Sequence, residues 1–297
     1  MHFDYTTVGH VTVDVTADGA RRAGGSAFYS ALQAARLGHR TLIITQGVVA
    51  EIEDLLAPYR TSLELQILPA RQTTTLQSGG DHATHKQRLL AWAGRIGENV
   101  EVDTSILHLA PVARETPSRW LGSAGFIGLT PQGLVRSWGG AGEIRLVPLA
   151  PDLLPERWDA IVISETERDS CAHLVPGAVG GASGESRSAA RRDQAQVAAR
   201  ERGVVAVTAA AGPTTLYLPG GEIARTQVPG VAEFHDDVGA GDVFAAAFFI
   251  ALCEGRPAPA AAAFANAAAA VRIGGPGADA IGDRPAVEAR LRAAADV

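Results

Sequence analysis

Short runs rich in β-branched residues alternate with alanine-rich amphipathic runs along most of this chain, and no other feature restricts its fold so strongly. "YTTVGHVTVDV" reads as a first strand ending near Asp14, followed by a turn marked by Asp18-Gly19. "SAFYSALQAARLG" (26–38) is a helix: Phe28, Ala31, Leu32 and Ala35 share a face, and Gly38 suits its C-terminal cap. "RTLIITQGV" is then a buried strand, followed by a helix over Glu51–Tyr59 and a strand over Ser62–Leu68. Further strands are predicted at Ile106–Ala110, Gly125–Leu129, Ile144–Leu146 and Ala160–Ser164, and in "VVAVTAA" and "TTLYLP". Helices are predicted near Pro117–Leu121, at Leu153–Trp158, over 186–203 with Gly203 closing it, and in two alanine-rich stretches, 258–273 and 285–295. Residues 175–188 are rich in glycine and serine and read as a surface loop. Strands separated by helices pair in parallel, and a parallel sheet is buried on both faces. The expected fold class is therefore α/β: a three-layer αβα arrangement around a mainly parallel central sheet.

Residues 71–92 interrupt the alternation. "RQTTTLQSGGDHATHKQRLLAW" reads as two strands around a Ser-Gly-Gly-Asp turn, an antiparallel appendage with no helix between them. With 297 residues, 46% of them hydrophobic, the chain can bury a substantial core as one large domain. Aromatic residues make up only 5%, so close packing of alanine-rich helices is expected. A net charge of -6 without a polybasic cluster excludes a general nucleic-acid binder. Cys171 and Cys253 stand too far apart for a metal knuckle and are too few for a disulfide framework. The opening residues carry no basic leader or apolar core of a secretion signal. The longest apolar stretch, Val243–Cys253, is shorter than a membrane span. A cytoplasmic protein without membrane or nucleic-acid partners is expected.

The segment "EFHDDVGAGDVFAAAFFIAL" (233–252) carries the clearest chemistry. Gly239, Ala240 and Gly241 make a tight turn that feeds directly into an apolar helix. The first N–H groups of a helix lack partners and sit at the positive end of its dipole, and glycine lets an anion approach the backbone closely. Asp242 admits two readings. It can be an N-cap, or it can stand beside a bound phosphoryl group and take the proton of an acceptor hydroxyl.

"DDVGAGD" resembles the D-T-x-G-A-G-D signature of the ribokinase-like (PfkB) carbohydrate kinases, with Asp237 in the threonine position. "VTVDV…AGGSAFYSALQAARLG" is similar to the family's other signature, with Asp14, Gly24, Gly25, Leu37 and Gly38 in matching places. The resemblance implies a ribokinase-like fold with a small β lid. It also implies an ATP- and Mg²⁺-dependent phosphotransferase acting on a hydroxyl of a small sugar, polyol or nucleoside. Asp242 would be the catalytic base, with the amides of Gly239, Ala240 and Gly241 as the anion hole. Asp14, Gly24 and Gly25 would bind the acceptor. Tyr29 stands where the family often has a sugar-binding asparagine. "SETE" resembles an N-x-x-E motif with Ser164 for asparagine, so Glu167 would reach Mg²⁺ through water. "VTAAAG" resembles a nucleotide-side stretch with Ala210 for glycine, which makes Thr208 and Gly212 phosphate or ribose contacts. Asn266 would lie by the adenine pocket, or be an asparagine satisfied between helices. "GLTPQGLVRSW" looks like a stretch of a divergent branch with inositol-kinase-like members, with Gln132 and Arg136 retained, Thr130 replacing an acid and Glu115 at an acidic position. A monovalent cation, K⁺, near Asp236 follows from the resemblance alone.

The Asp14-to-Gly24 connection has room for little more than a turn. One domain over 1–297 is therefore expected, with a reduced lid contributed mainly by 71–92, as a monomer or a homodimer. Two other readings follow from the same residues. A degenerate sugar- or nucleotide-binding sensor would explain the altered positions. A dinucleotide-dependent oxidoreductase would need a G-x-G-x-x-G after the first strand, which the chain lacks.

Overall fold

The computed structural model describes residues 1–79, 86–175, 203–231 and 233–295. A nine-stranded sheet runs through them. Its parallel part comprises β1 (Phe3–Val8), β4 (Thr41–Gly47), β5 (Glu64–Pro69), β8 (Glu101–Leu109), β9 (Leu121–Leu129), β12 (Ala160–Ser164) and β13 (Val204–Ala209). Two antiparallel strands, β14 (Gly212–Tyr217) and β15 (Ile223–Thr226), complete the order β15-β14-β13-β12-β9-β8-β1-β4-β5. The α/β class with a large, mainly parallel sheet is the one expected from the alternation.

Separate cores bury the two faces of the sheet. Five helices feed the first: α1 (Ser26–Arg36), α2 (Val49–Leu56), α3 (Ala240–Cys253), α4 (Ala258–Ile273) and α5 (Arg284–Ala295). Their alanines let the axes approach closely, and Phe28, Phe244, Phe248, Phe249 and Phe264 fill what remains. The second core lies under Ile96, Val100, Leu134, Val135, Leu149, Trp158, Cys171 and Leu174. The loop read over 175–188 and the helix read over 186–203 fall almost wholly outside the described residues, as does most of the Ser-Gly-Gly-Asp turn.

The first strand is broken. β1 leaves the main sheet after Val8, and β2 (Thr12–Val15) restarts in a second sheet of order β3-β2-β6-β7, with β3 (Arg21–Gly24), β6 (Thr75–Gly79) and β7 (Lys86–Ala91). The reason is local. A Cβ on Gly9 would collide with the carbonyl of Ala110, and the next amide, of His10, donates to Glu115 Oε1 at 2.9 Å instead of a strand partner. The expectation of a lid made mainly by 71–92 is corrected accordingly, since half of the lid is the β2–β3 hairpin. Its turn is tight enough for the short connection: Thr16 N–H donates to Ala20 O at 2.9 Å, and Gly19 takes φ 83°.

Two expected helices are absent. Around Pro117 the chain bends without helix and then enters β9. At 151–158 only a 3₁₀ turn, Pro151–Leu153, forms, because Leu154 is extended ahead of Pro155. Neither stretch is long enough to offset helix nucleation. Among the described residues, no helix is long and apolar enough to cross a membrane.

The joint between the two sheets rests on Gly25, which takes φ 94° and whose added Cβ would strike the carbonyl oxygen of His10. Gly25→Ala should lower stability by about 2–3 kcal/mol, read as a reduced denaturant midpoint at unchanged slope. A midpoint within error of the parent would show that the joint tolerates a side chain.

Candidate active site

The chain turns back at β1 and β8: β4 and β5 lie on one side, β9, β12 and β13 on the other. Crevices outside the carboxyl ends of strands at such a reversal are where α/β sheets bind ligands. The residues that follow these strand ends converge there with the N-termini of α1 and α3.

Gly239, not Asp242, caps α3. It adopts the left-handed conformation (φ 78°, ψ 1°) and gives the helix no side-chain cap. Tyr29 explains the glycine, because a Cβ there would enter the Tyr29 ring. Ala240 N–H donates to the Asp237 carbonyl at 3.0 Å, so one of the three expected anion-hole amides is committed to the turn. The amides of Gly239 and Gly241 donate to no protein acceptor among the described residues. Asp242, freed from capping, lies near Ser26 at the start of α1, whose side chain helps to hold its carboxyl down. Ser30 Oγ donates to the Asp242 carbonyl at 3.2 Å and locks the two helix ends together. Burial pushes the Asp242 carboxyl up to about 7; Ser26 and Arg136 oppose that rise, while Glu167 and Asp14 add to it.

Arg136, 7% exposed, is the cation of the crevice. It donates to the Val112 carbonyl at 3.1 Å and to Gln87 Oε1, on lid strand β7, at 2.9 Å. Burial lowers its pKa, and Glu167, Asp242, Glu115 and Asp14 all counter that through their charge. Glu167, 6% exposed, accepts from Ser164 N–H at 3.0 Å, and the side chains of Ser164 and Gln132 lie near enough to favour its charged form. Its carboxyl is raised by burial against these bonds and the charge of Arg136. The "SETE" and "PQGLVR" segments thus lie close enough for the charges of Glu167 and Arg136 to act on one another.

Asp14 lies on lid strand β2. Its carboxylate accepts from Thr12 Oγ1 at 2.6 Å and occupies the space that a Cβ on Gly24 would need. Burial raises its pKa, opposed by Thr12 and Arg136. Tyr29 shares this side: burial first, then the charge of Asp14, pushes its phenol up to about 12, so the hydroxyl keeps its proton.

Several expected contacts have other duties. Glu115 is 0% exposed, and its carboxylate accepts from His10 N–H at 2.9 Å, Val112 N–H at 2.8 Å and Ala113 N–H at 2.6 Å. It ties the sheet joint to the loop after β8, so its carboxylate is already engaged by main-chain amides where an acceptor contact was expected. Asn266 accepts from Thr214 Oγ1 at 2.9 Å and donates to the Gln227 carbonyl at 3.1 Å. It therefore staples α4 to β14 and to the Gln227 stretch, in keeping with the reading of an asparagine satisfied inside the fold. Thr208 lies one residue before the end of β13 and donates to the Ile163 carbonyl at 3.3 Å. Gly212 opens β14 next to Ala210, which holds φ 48°, a conformation that glycine adopts more easily. Asp236 accepts from Arg272 at 2.6 Å and from the amides of Val238 and Gly277. Burial works to raise its carboxyl, but these donors outweigh it and hold it low. Ser26, Gln87 and Arg272 were not singled out from the sequence; serine after a glycine pair and a lone arginine in an alanine-rich helix were the available signals.

This assembly defines an α/β protein with open amides at a helix N-terminus beside an elevated carboxyl. The family model described as pfkB family carbohydrate kinase matches residues 178–284. A pyrophosphate-dependent kinase in the ribokinase family, complexed with a pyrophosphate analog and myo-inositol, superposes with a TM-score of 0.70 at 19% identity, covering 96% of this chain and 99% of that one. Ribokinase of Arabidopsis thaliana, complexed with ribose and ATP, gives 0.69 at 19% identity over 98% and 99%. The nucleoside kinase of Methanocaldococcus jannaschii gives 0.67 at 15% over 98% and 98%. No curated protein matches the sequence. The chain therefore has the ribokinase fold throughout, and the resemblance to the PfkB kinases holds in sequence over its C-terminal part.

A raised carboxyl leaves a signature in stability. The folded chain holds a proton on Asp242 up to about pH 7, whereas the unfolded chain releases it near the ordinary 3.8. Folding stability therefore declines as pH rises between those values, and the loss is complete above them. Asp242→Asn should melt above the parent at pH 8, with the gap closing as pH falls towards 4. A gap independent of pH would refute the elevated carboxyl.

Proposed function

We propose that the chain transfers the γ-phosphoryl group of ATP to a hydroxyl of a small sugar, polyol or nucleoside. The observation that carries this reading is the Asp242 carboxylate set in the first turn of α3, beside the open amides of Gly239 and Gly241. A binding protein would gain nothing from a carboxylate next to an anion pocket, since the two repel. A phosphotransferase needs both. The Asp242 carboxylate takes the proton of the acceptor hydroxyl as its oxygen bonds to phosphorus and the bond from phosphorus to the ADP oxygen breaks. The amides of Gly239 and Gly241, with the positive end of α3, hold the equatorial oxygens. Asp14 orients the acceptor, and the lid strands that carry it exclude water. Arg136 offsets the mutual repulsion of Asp14, Glu167 and Asp242 and keeps the base from rising beyond usefulness.

Among the described residues, no cluster of three or more His, Cys, Asp or Glu side chains could hold a metal by itself. One buried carboxylate, Glu167, suits an ion that arrives with the phosphates and keeps its water. Glu167 would anchor Mg²⁺ through such a water, and the ion would supply charge neutralisation on the donor.

Incubation with ATP or pyrophosphate and a panel of sugars, inositols and nucleosides tests the reading, with release of ADP or phosphate as the signal. The pyrophosphate arm is included because a structural neighbour uses that donor. Asp242→Asn should lose about 10²–10⁴ in kcat while retaining acceptor binding. In the parent, log kcat/KM should climb with unit slope to about pH 7 and then level, as Asp242 loses its proton. Arg136→Met should move that limb to higher pH. Ligand binding without turnover for any donor would instead favour the sensor.

A further inference from the structure

Three oxygens converge beside the loop that begins at Gly239: Asp236 Oδ1 and the main-chain carbonyls of Val238 and Gly275. One carboxylate and two carbonyls form an oxygen donor set of the kind that hard, weakly polarising cations take. In this chain a guanidinium has taken it. Arg272 Nη2 lies 2.6 Å from Asp236 Oδ1 and 2.7 Å from the Val238 oxygen, and Nη1 lies 3.1 Å from the Gly275 oxygen. The remaining capacity of Asp236 goes to the amides of Val238 at 3.0 Å and Gly277 at 3.1 Å. Arg272 is 0% exposed. An added K⁺ would have to displace a cation bonded at three points, so the expected ion near Asp236 does not fit these residues.

The position of this charge is informative. The Val238 carbonyl belongs to the same peptide unit as the N–H of Gly239, one of the two open amides. A cationic donor on the oxygen of a peptide strengthens the positive end of its N–H, because hydrogen bonds in a chain polarise one another. The Arg272 guanidinium also lies 5.8 Å from the centre of the Tyr29 ring, which packs against Gly239. Packing alone does not call for arginine here. Its Nε is buried without a partner among the described residues, and an apolar side chain of similar length would fill the interior without that loss.

We propose that Arg272 is a built-in monovalent cation for the Gly239–Gly241 loop, positioning and polarising it for the phosphoryl group, so that the chain works without K⁺ or Na⁺. This rests on the phosphotransferase reading for its purpose, though not for its geometry. The first measurement uses the parent chain in potassium, sodium or tetramethylammonium chloride at equal ionic strength. Melting temperature should agree within about 1 °C and kcat within about twofold across the three salts; a K⁺-specific rise of several degrees, or about tenfold in kcat, overturns the proposal. The second compares Arg272→Met with Arg272→Lys by calorimetric binding of inorganic phosphate. The methionine variant should bind about tenfold more weakly or worse, and the lysine variant should recover most of the loss. Parental affinity in Arg272→Met overturns the positioning role. Should that variant fail to fold, the salt comparison on the parent decides alone. A parent that turns over no acceptor, yet melts identically in all three salts, retires the kinase reading and upholds the cation assignment.

Discussion

One buried cation, Arg136, stands among the acids of the candidate site and acts on four of them through its charge. Asp14, Glu115, Glu167 and Asp242 come from β2, from the loop after β8, from the turn after β12 and from α3, and each feels this guanidinium or is felt by it. Acids gathered out of water repel one another, and burial already pushes Asp14, Glu167 and Asp242 towards their neutral forms. A single buried cation limits that drift. Its own desolvation is met by hydrogen bonds to Val112 and Gln87, so the lid strand β7 takes part in fixing it. Removing the cation would leave uncompensated buried charge, the costly case for any buried pair.

Around that centre the backbone does most of the positioning. Glu115 uses its carboxylate as a staple for three amides, and one of them, of His10, marks where the chain passes from the main sheet into the lid. Gly24 is bare because the Asp14 carboxylate needs the space, and Gly25 is bare because the carbonyl of His10 does. The acid that would orient the acceptor is therefore placed by the same few residues that join the sheets. The position of the small sheet and the position of Asp14 are therefore set together.

These arrangements were unequally legible in the sequence. Gly239 to Asp242 could be read because their roles depend on local conformation: a left-handed residue, a helix start, open amides. The parallel order of strands was likewise carried by alternation alone. The break at Gly9 and His10 was not, because β-branched residues continue across it and only the approach of Ala110 and Glu115 ends the strand. The lid was underestimated for the same reason. Glu115 and Asn266 were assigned by residue type and position, but the identity of a side chain does not say which groups will reach it first. In both cases main-chain partners or a neighbouring threonine did. Arg272 was silent because one arginine in an alanine-rich helix carries no periodic signal. Its meaning comes from oxygens that are distant in sequence or fall outside the helix.

Tyr29 shows how such long-range arrangements alter a site without dismantling it. An asparagine at this position would offer an amide to the acceptor. The tyrosine instead lays its ring against Gly239, and the Arg272 guanidinium, 5.8 Å from the centre of that ring, bonds the Val238 carbonyl of the same turn. Its hydroxyl, with a pKa pushed up to about 12, remains a donor at any working pH. The tyrosine in this place therefore packs against the loop instead of offering an amide, and the bare, left-handed Gly239 is the form of the turn that its ring leaves room for.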